Sequence, residues 1–317
     1  MNDILLSICI PTYNRPKYLR ACLVSAFKNI SADNLAKIEV VISDNSDNEA
    51  TKLVADEFRN RGSHVNYIKN EINIGGPRNL LQALNAGQGK YLWLCGDDDL
   101  IISGKINLII DKLNLDDYSG VILNFAQGEN SNPEILMLDN CLSLKDDKVF
   151  YGREDLFSGK DFINFFALNF MSALIINKDD FKNIYSQATA FSDTCYPQAY
   201  MFLLIAALDK TVLRISDPCV IWRSPDKSRR YDTWQKDEGH IFNQYIDYVR
   251  YAGEIGFRYD RKYLEESIKF KSINLFYFKN NNWKNKFKAS LAEMNLDKAV
   301  FKLIHFFRYL RYILRKR

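Results

Sequence analysis

The 317-residue sequence has few of the residues that build metal-bound or disulfide-bonded scaffolds. It contains six cysteines and three histidines, with no Cys-x-x-Cys pair and no spacing typical of a zinc site. Several of the cysteines lie inside apolar runs, which favours buried thiols in a reducing compartment. No Gly-x-Gly-x-x-Gly follows a predicted strand, so a hydride-transferring enzyme is disfavoured.

Long hydrophobic runs are also absent. The longest nearly unbroken one, Ala199 to Leu208, is much shorter than the about 20 residues that a membrane-spanning helix needs. The N-terminus lacks a basic segment followed by an apolar core, so we expect no signal peptide. These absences predict a cytoplasmic protein.

Acidic residues are missing from the C-terminal twenty residues. Seven Lys or Arg and no Asp or Glu occur between Lys298 and Arg317, although the net charge of the whole chain is only +4. The remainder is therefore slightly acidic, which argues against nucleic-acid binding. Apolar residues recur there every three or four positions, as in a basic amphipathic helix. We predict peripheral contact with the inner face of the cell membrane through residues 296–317; a docked helix with a charged outer face is the alternative.

The first 125 residues alternate between short apolar runs and helical periodicity. This alternation predicts a sheet of largely parallel strands covered by helices on both faces. The predicted strands are 5–10, 38–43, 65–69, 91–95 and 119–125, and the predicted helices are 16–29, 49–61, 77–86 and 103–113.

Three consecutive carboxylates, Asp97, Asp98 and Asp99, follow the predicted strand that ends at Cys95. Crowded carboxylates repel one another unless a cation lies among them, and Mg²⁺ and Mn²⁺ prefer oxygen ligands. In open α/β sheets, ligands bind at the edge formed by the carboxyl ends of the strands, where this triplet falls. The alternative is that the acids merely favour the positive end of the following helix.

Three further loops are expected near the same edge. Tyr13, after the first strand, could stack on a nucleobase, and Asp44, after the second, could accept a hydrogen bond from a base or ribose. Gly75 and Gly76 allow close backbone approach, and Arg78 at the start of the next helix would favour an anion. Together these groups suit a nucleotide.

The motifs occur in a familiar order. Taken together they resemble family 2 glycosyltransferases of the GT-A fold, and the resemblance covers about the first 125 residues. The segments that carry it are Leu6–Arg15, Val40–Ser46, Asn73–Asn79, Gly89–Leu94 and Gly96–Asp99.

The resemblance implies a mixed α/β sheet flanked by helices, followed here by a C-terminal helical extension. It also implies a nucleotide-diphospho-sugar donor, a divalent metal (Mn²⁺ or Mg²⁺), and transfer of the sugar with inversion. The predicted metal ligands are Asp97, Asp98 and Asp99. The predicted donor-binding residues are Pro11, Tyr13, Asp44, Arg78, Asp97 and Asp98.

The sequence departs from the family pattern at two points. The second motif has one carboxylate, Asp44, where two acids are usual. The Asp-x-Asp signature is intact if it spans Asp97 to Asp99, but Cys95 replaces its first acid in the other possible register. Both registers stay open, and with them the identity of the metal ligand.

The second half is expected to bind the acceptor and to supply a general base. Asp193, ahead of the apolar helix predicted at 196–208, is the candidate base, with a helix-capping role as the alternative. The loop from Arg223 to Arg230 could close over a diphosphate or be simply solvated. We predict a catalytic domain over 1–230, with a donor half (1–125) and an acceptor half (126–230), and a helical region over 231–317.

These features predict sugar transfer to a glycan or lipid-linked oligosaccharide in bacterial surface polysaccharide synthesis. A nucleotidyltransferase is one alternative, although the loop Pro11–Arg15 lacks the glycines which that class needs after its first strand. A non-catalytic glycan-binding protein is another.

Overall fold

The computed structural model describes residues 4–128, 139–140, 142, 144–156, 164, 167–194, 196–223, 251–252 and 254–256. Strands and helices alternate through the first part, as the hydrophobic pattern predicts. The strands are β1 (Leu6–Thr12), β2 (Ile38–Asp44), β3 (Val65–Lys69), β4 (Tyr91–Leu94), β5 (Leu100–Ile101), β6 (Gly120–Gly128), β7 (Asp139–Asn140), β8 (Lys148–Tyr151), β9 (Leu174–Asn177) and β10 (Thr211–Arg223). The helices are α1 (Pro16–Ala26), α2 (Ala32–Leu35), α3 (Ala50–Arg59), α4 (Gly76–Ala86), α5 (Lys105–Leu113), α6 (Gly152–Leu156), α7 (Lys178–Thr189) and α8 (Pro197–Ala206).

The strands form one mixed sheet in the described part of the chain. Its order is β3-β2-β1-β4-β9-β6-β10-β5, with β7 added beside β6 and β8 beside β10. β1 to β4 pair in parallel, whereas β9 is antiparallel to both of its neighbours, β4 and β6. The mixed α/β architecture predicted from the sequence is therefore confirmed.

The helices arise from apolar stripes that the sheet covers. In α1, Pro16 presets the first turn, and Leu19, Cys22, Leu23 and Ala26 recur at helical spacing on the buried face. α1, α3 and α5 share one core with alternate side chains of the central strands. α4 packs on β1 and β2, and α8 packs on β6 and β9.

β10 is one strand, whereas the apolar runs at 211–216 and 219–223 predict two. Its pairing with β6 changes register around Pro218, which has no N–H to donate to the ladder. The strand continues past this irregularity to Arg223, and its end lies beside the loop that follows β4.

Asp147 ties the segment before β8 to α5 and β10. Its carboxylate accepts hydrogen bonds from the Ser216 N–H and hydroxyl, both 2.8 Å long, and lies 2.7 Å from the Lys112 ammonium. Partial burial alone would raise the pKa of this carboxyl, but the hydrogen bonds from Lys112 and Ser216 outweigh it, so the pKa lies below its usual range.

The chain divides into two compact units. One comprises residues 1–156 and 164–230 and contains the sheet; the other comprises 157–163 and 231–317. The helical region predicted over 231–317 lies outside the described residues except at 251–252 and 254–256. The predicted domain boundary at 230 remains a proposal.

Cysteines and hydrophobic helices in the described region follow the sequence-based expectations. Cys9, Cys22, Cys95 and Cys219 are buried free thiols. Over the same stretches of chain, none of the helices is both long enough and apolar enough to cross a bilayer.

Candidate functional site

The candidate site lies at the carboxyl edge of the parallel strands. Thr12 at the end of β1 pairs with Asp44 at the end of β2, and β4 lies on the other side of β1. The loops that leave these three strands therefore meet at one edge, as the sequence predicted.

The acidic loop turns two of its carboxylates inward and one outward. Thr12 donates a hydrogen bond of 2.7 Å to Oδ2 of Asp97, and Ser172 donates one of 2.5 Å to Oδ2 of Asp99. Asp97 and Asp99 are each 4% exposed, whereas the side chain of Asp98 is 42% exposed. The triplet therefore offers one solvent-facing carboxylate flanked by two buried ones.

Arg15 bridges two of these carboxylates. Its Nη1 lies 3.0 Å from Oδ1 of Asp97 and 3.1 Å from Oδ2 of Asp98. Burial and repulsion by Asp98 raise the pKa of Asp97 to about 7, against the opposing effect of Arg15. Burial raises the pKa of Asp99 as well, and Asp98 adds to the shift. The ionised form of these two carboxyls is therefore disfavoured, and a further cation would stabilise it.

The donor set fits a hard divalent cation. Mg²⁺ and Mn²⁺ usually take one or two carboxylates, and substrate phosphates and water complete the shell. Oδ1 of Asp97 and Oδ2 of Asp98 both contact Nη1 of Arg15, so these two oxygens already share one positive charge. No group of three or more His, Cys, Asp or Glu side chains in the described residues is arranged to hold a metal by itself. Asp97 and Asp98 would thus be two of its ligands, and phosphate oxygens or water would add others.

Cys95 does not lie in the acidic cluster. It is fully buried, with its sulfur 3.9 Å from that of Cys22. This location favours the register in which the signature spans Asp97 to Asp99, and the choice of ligand within it stays a prediction.

Asp44 is fully buried, and both of its oxygens accept hydrogen bonds. The Ser46 N–H (2.8 Å) and hydroxyl donate to Oδ1. Tyr67 donates to Oδ2 over 2.8 Å, and Lys69 lies 3.5 Å from the same oxygen. The structure therefore gives Asp44 the role of holding its own loop, and the predicted contact with a nucleoside would require it to exchange one of these partners.

The first and second loops are joined through Ser46. Its hydroxyl accepts a 2.8 Å hydrogen bond from the backbone N–H of Asn14, which has a left-handed conformation (φ 53°). Asn14 separates Tyr13 from Arg15, so this bond helps to set the direction of both side chains. Tyr13 is 46% exposed, as a base-stacking residue requires, while Pro11 is part of β1 and pairs with Ser43.

A network of buried amides supports the glycine turn before α4. Asn70 donates to Oδ1 of Asn45 (2.7 Å) and of Asn79 (3.0 Å). Asn79 in turn donates to the carbonyl of Thr12 over 3.2 Å. Gly75 adopts a φ of 85°, a conformation that favours glycine, immediately before α4. The network therefore connects the turn that carries Arg78 to the end of β1.

Arg78 and Asp193 lie together, although 115 residues separate them. Nη2 of Arg78 donates to Oδ1 of Asp193 over 3.0 Å, and the two side chains are 58% and 79% exposed. The structure thus brings the predicted base to the predicted anion-binding residue. Such an exposed pair contributes at most about 1 kcal/mol, so it can open at little cost.

Arg223 at the end of β10 also reaches the acidic loop. Its Nε donates to the backbone carbonyl of Asp98, and its guanidinium lies 5.0 Å from the centre of the Tyr18 ring. Its Nη2 is buried and has no hydrogen-bond partner among the described residues. A buried N–H without a partner costs about 1–3 kcal/mol, which a ligand oxygen would recover.

The sequence reasoning left several contacts of the acidic loop unassigned. Thr12 and Arg15 stand inside the first motif and could have been recognised by their position. Ser172 carries no motif, because it reaches the loop only through the antiparallel placement of β9, which it precedes. Arg223 was considered only as part of a basic loop.

Comparison with known proteins assigns the family. The model of glycosyl transferase family 2 matches residues 7–175, more than half of the chain. The chain belongs to this family and is a glycosyltransferase. The family predicted from the sequence motifs is thereby confirmed.

Two curated relatives are similar over different lengths. The abequosyltransferase RfbV of Salmonella typhimurium is 28% identical over 303 residues, 92% of this chain and 80% of that protein. The GalNAc(5)-diNAcBac-PP-undecaprenol beta-1,3-glucosyltransferase of Campylobacter jejuni is 27% identical over 110 residues, 34% of each chain.

Solved structures share the fold. Staphylococcus aureus TarS 1–349 in complex with UDP-GlcNAc has a TM-score of 0.64 at 14% identity, over 96% of this chain and 88% of that one. The mannosyltransferase PcManGT of Pyrobaculum calidifontis, in complex with GDP-Man and Mn²⁺, has a TM-score of 0.52 at 13% identity, over 98% and 86%. At these identities the likeness shows the GT-A fold alone.

Proposed function

We propose that this chain transfers a sugar from a nucleotide-diphospho-sugar to a hydroxyl group of a glycan or lipid-linked oligosaccharide. The transfer inverts the anomeric carbon, uses Mn²⁺ or Mg²⁺, and serves the synthesis of a bacterial surface glycan. The observation that carries the proposal is the acidic loop at the carboxyl edge of β4, held between Arg15 and Arg223 in a chain of this family. The name of the Campylobacter jejuni relative, which contains a PP-undecaprenol-linked glycan, supports the type of acceptor.

The donor would be bound by the acidic loop and by the side chains around it. Asp97 and Asp98, with Asp99 behind them, would hold the cation, which when bound stabilises the negative charge that develops on the departing diphosphate. The unpartnered N–H of Arg223 can donate to a phosphate oxygen. Tyr13 offers an exposed ring to the base, and Arg78 offers a second guanidinium at the edge of the site.

Asp193 is the proposed general base. A base must reach the acceptor hydroxyl and remove its proton as the sugar is transferred. The exposed carboxylate of Asp193 is paired only weakly with Arg78, and a phosphate that bound Arg78 would release it. The acceptor would then lie next to the donor.

Calorimetry with Mn²⁺ and a panel of nucleoside diphosphates (UDP, GDP, CDP and dTDP) tests the donor site. We expect one of them to bind in the presence of Mn²⁺, with the binding lost in EDTA and in Asp98→Ala. Metal-dependent hydrolysis of the matching nucleotide sugars would then identify the sugar. Retention of wild-type binding by Asp97→Ala, Asp98→Ala and Asp99→Ala alike would show that the site is wrongly placed. Binding without any turnover would favour the glycan-binding alternative.

The role of Asp193 is tested by measuring turnover and donor affinity separately. Asp193→Asn should lower turnover by about 10²-fold or more, the range of general-base catalysis. It should not weaken donor binding, because loss of the Asp193 charge leaves Arg78 free for a phosphate. Asp179→Asn is the matched control, since that exposed carboxylate pairs with Lys182 on α7, away from the loops of the site. Equal turnover of the two variants would exclude Asp193 as the base.

Arg223 is tested by comparing a nucleoside with its diphosphate. Arg223→Gln should weaken binding of the diphosphate about tenfold or more, the value of one charge-assisted hydrogen bond, and leave nucleoside binding unchanged. Arg20→Gln serves as the control, because Arg20 pairs with Glu57 on the outer surface of α1 and α3. A loss that is equal for nucleoside and diphosphate would contradict the proposed phosphate contact.

Residues 296–317 lie outside the described residues, and their contact with a membrane is proposed from their positive charge. Full-length protein should float with vesicles that contain phosphatidylglycerol and not with phosphatidylcholine alone. Replacing four of the basic residues (Lys298, Lys302, Arg308 and Arg311) by Gln should abolish this flotation. Binding that is insensitive to lipid charge would contradict the electrostatic contact.

A further inference from the structure

We infer that Arg15 takes the place of the metal ion in the free protein, and that it moves from Asp97 and Asp98 to the diphosphate of the donor when the cation binds. The inference rests on the proposed function, since it needs a cation and a diphosphate in the same site. Arg15 would thus have two negatively charged partners in succession, first the two carboxylates and then the diphosphate.

The first step of the argument is the geometry of the ion pair. One nitrogen, Nη1 of Arg15, contacts Oδ1 of Asp97 and Oδ2 of Asp98 at nearly equal distances. The other oxygen of Asp97 is held inside by Thr12. For Asp97, Arg15 therefore uses the oxygen that Thr12 leaves available to a cation, and at Asp98 it uses an oxygen of the exposed carboxylate.

Competition follows from charge. A divalent cation and a guanidinium that approach the same two oxygens repel each other, and a carboxylate that is fully engaged by one is a poorer ligand for the other. The cation can bind these oxygens only as Arg15 leaves them, so part of its binding free energy is spent on breaking the ion pair.

The side chain of Arg15 is free to move while its backbone stays in place. The side chain is 42% exposed, and its described contacts are with the two carboxylates. The backbone carbonyl accepts the 3.0 Å hydrogen bond from Leu19 that begins α1, and Pro16 follows directly. A change of rotamer can therefore release the guanidinium without disturbing the helix.

The diphosphate is the natural second partner. Phosphate oxygens complete the shell of a cation held by carboxylates, which brings them within reach of the displaced side chain. A guanidinium matches phosphate geometry with paired hydrogen bonds. Arg223 contacts the backbone of Asp98, so the two arginines approach the acidic loop through different groups of the same residue.

The inference predicts opposite effects of one substitution on two ligands. Arg15→Gln should bind Mn²⁺ alone about two- to tenfold more tightly, the range that loss of a partly buried competing ion pair allows. With Mn²⁺ saturating, the same variant should bind the nucleoside diphosphate preferred by the wild type about tenfold more weakly. Nucleoside binding should not change.

Binding of Mn²⁺ is measured by electron paramagnetic resonance on the full chain, without nucleotide, and diphosphate binding by calorimetry. Arg20→Gln is the matched control, since it removes the same charge from α1 without touching the acidic loop. Its Mn²⁺ affinity should equal that of the wild type. Arg15→Lys keeps the positive charge but lacks the paired N–H groups of the guanidinium. Its affinities for Mn²⁺ and for the diphosphate should lie between those of wild type and Arg15→Gln.

The outcomes distinguish this inference from the proposed function. If the wild type and Asp98→Ala both fail to bind Mn²⁺ with or without nucleotide, the metal-dependent function is wrong and the exchange falls with it. If the wild type binds Mn²⁺ and Asp98→Ala does not, but Arg15→Gln binds it with unchanged or lower affinity, the exchange alone is overturned. Unchanged diphosphate affinity in Arg15→Gln would overturn the second step.

Discussion

Removal of the Ser172 hydroxyl should destabilise the protein through the acidic loop. The fully buried hydroxyl accepts a 2.8 Å hydrogen bond from the Gly96 N–H and donates one of 2.5 Å to Asp99. In Ser172→Ala the buried N–H of Gly96 loses its partner, which costs about 1–3 kcal/mol. Asp99 loses a hydrogen bond to a buried carboxyl, which adds about 1–2 kcal/mol. We expect the free energy of unfolding to fall by about 2–5 kcal/mol.

Urea denaturation at pH 7, followed by circular dichroism, measures this difference. Ser186→Ala is the control, since Ser186 is exposed on α7 and its substitution should change stability by less than about 0.5 kcal/mol. Nucleotide affinity should fall in Ser172→Ala as well, because the loop that carries the proposed ligands loses its anchor. A loss of stability no larger than that of the control would refute the assigned hydrogen bonds.

Two further predictions concern other parts of the fold. Because the pKa of Asp147 is lowered in the folded state, its contribution to stability is present above the unfolded value of about 4 and is lost as the pH falls through the folded value. Urea midpoints of wild type and Asp147→Asn should therefore differ at pH 6 and converge as the pH falls through the folded pKa of Asp147; a difference that does not change with pH would contradict the shift. At the left-handed position Asn14, substitution by Gly should preserve stability and nucleotide binding, whereas Val should cost about 1–2 kcal/mol and weaken binding. Equal effects of Gly and Val would show that the backbone conformation is not what matters there.

The sequence predicted the strands and helices of the donor half closely, because each buried strand there is a short apolar run. The loop residues Tyr13, Asp44 and Asp97 were predicted at the correct edge of the sheet for the same reason, since parallel strands end together. Asp193 was chosen as the residue ahead of an apolar helix. Its contact with Arg78 joins the two predicted roles, and the base assignment itself stays a prediction.

Other features depend on contacts between distant segments. The hydrophobic pattern of β9 does not reveal that it lies antiparallel between β4 and β6, and this placement brings Ser172 to the acidic loop. Asp44 was expected to contact the nucleoside directly. Tyr67 and Lys69 come from the neighbouring strand β3, and their contacts with Asp44 follow from the pairing of β2 with β3.

The amino-acid sequence by itself determined the family, the alternation of strands and helices in the donor half and the place where the acidic triplet falls. These properties depend on short apolar runs and short motifs, which can be interpreted without knowing the structure of the rest of the chain. Only the tertiary structure decided which cations and hydroxyls surround the triplet. Arg15, Ser172 and Arg223 reach it from three separate segments, and a carboxylate has no preference for one such partner until folding brings that partner within hydrogen-bonding distance.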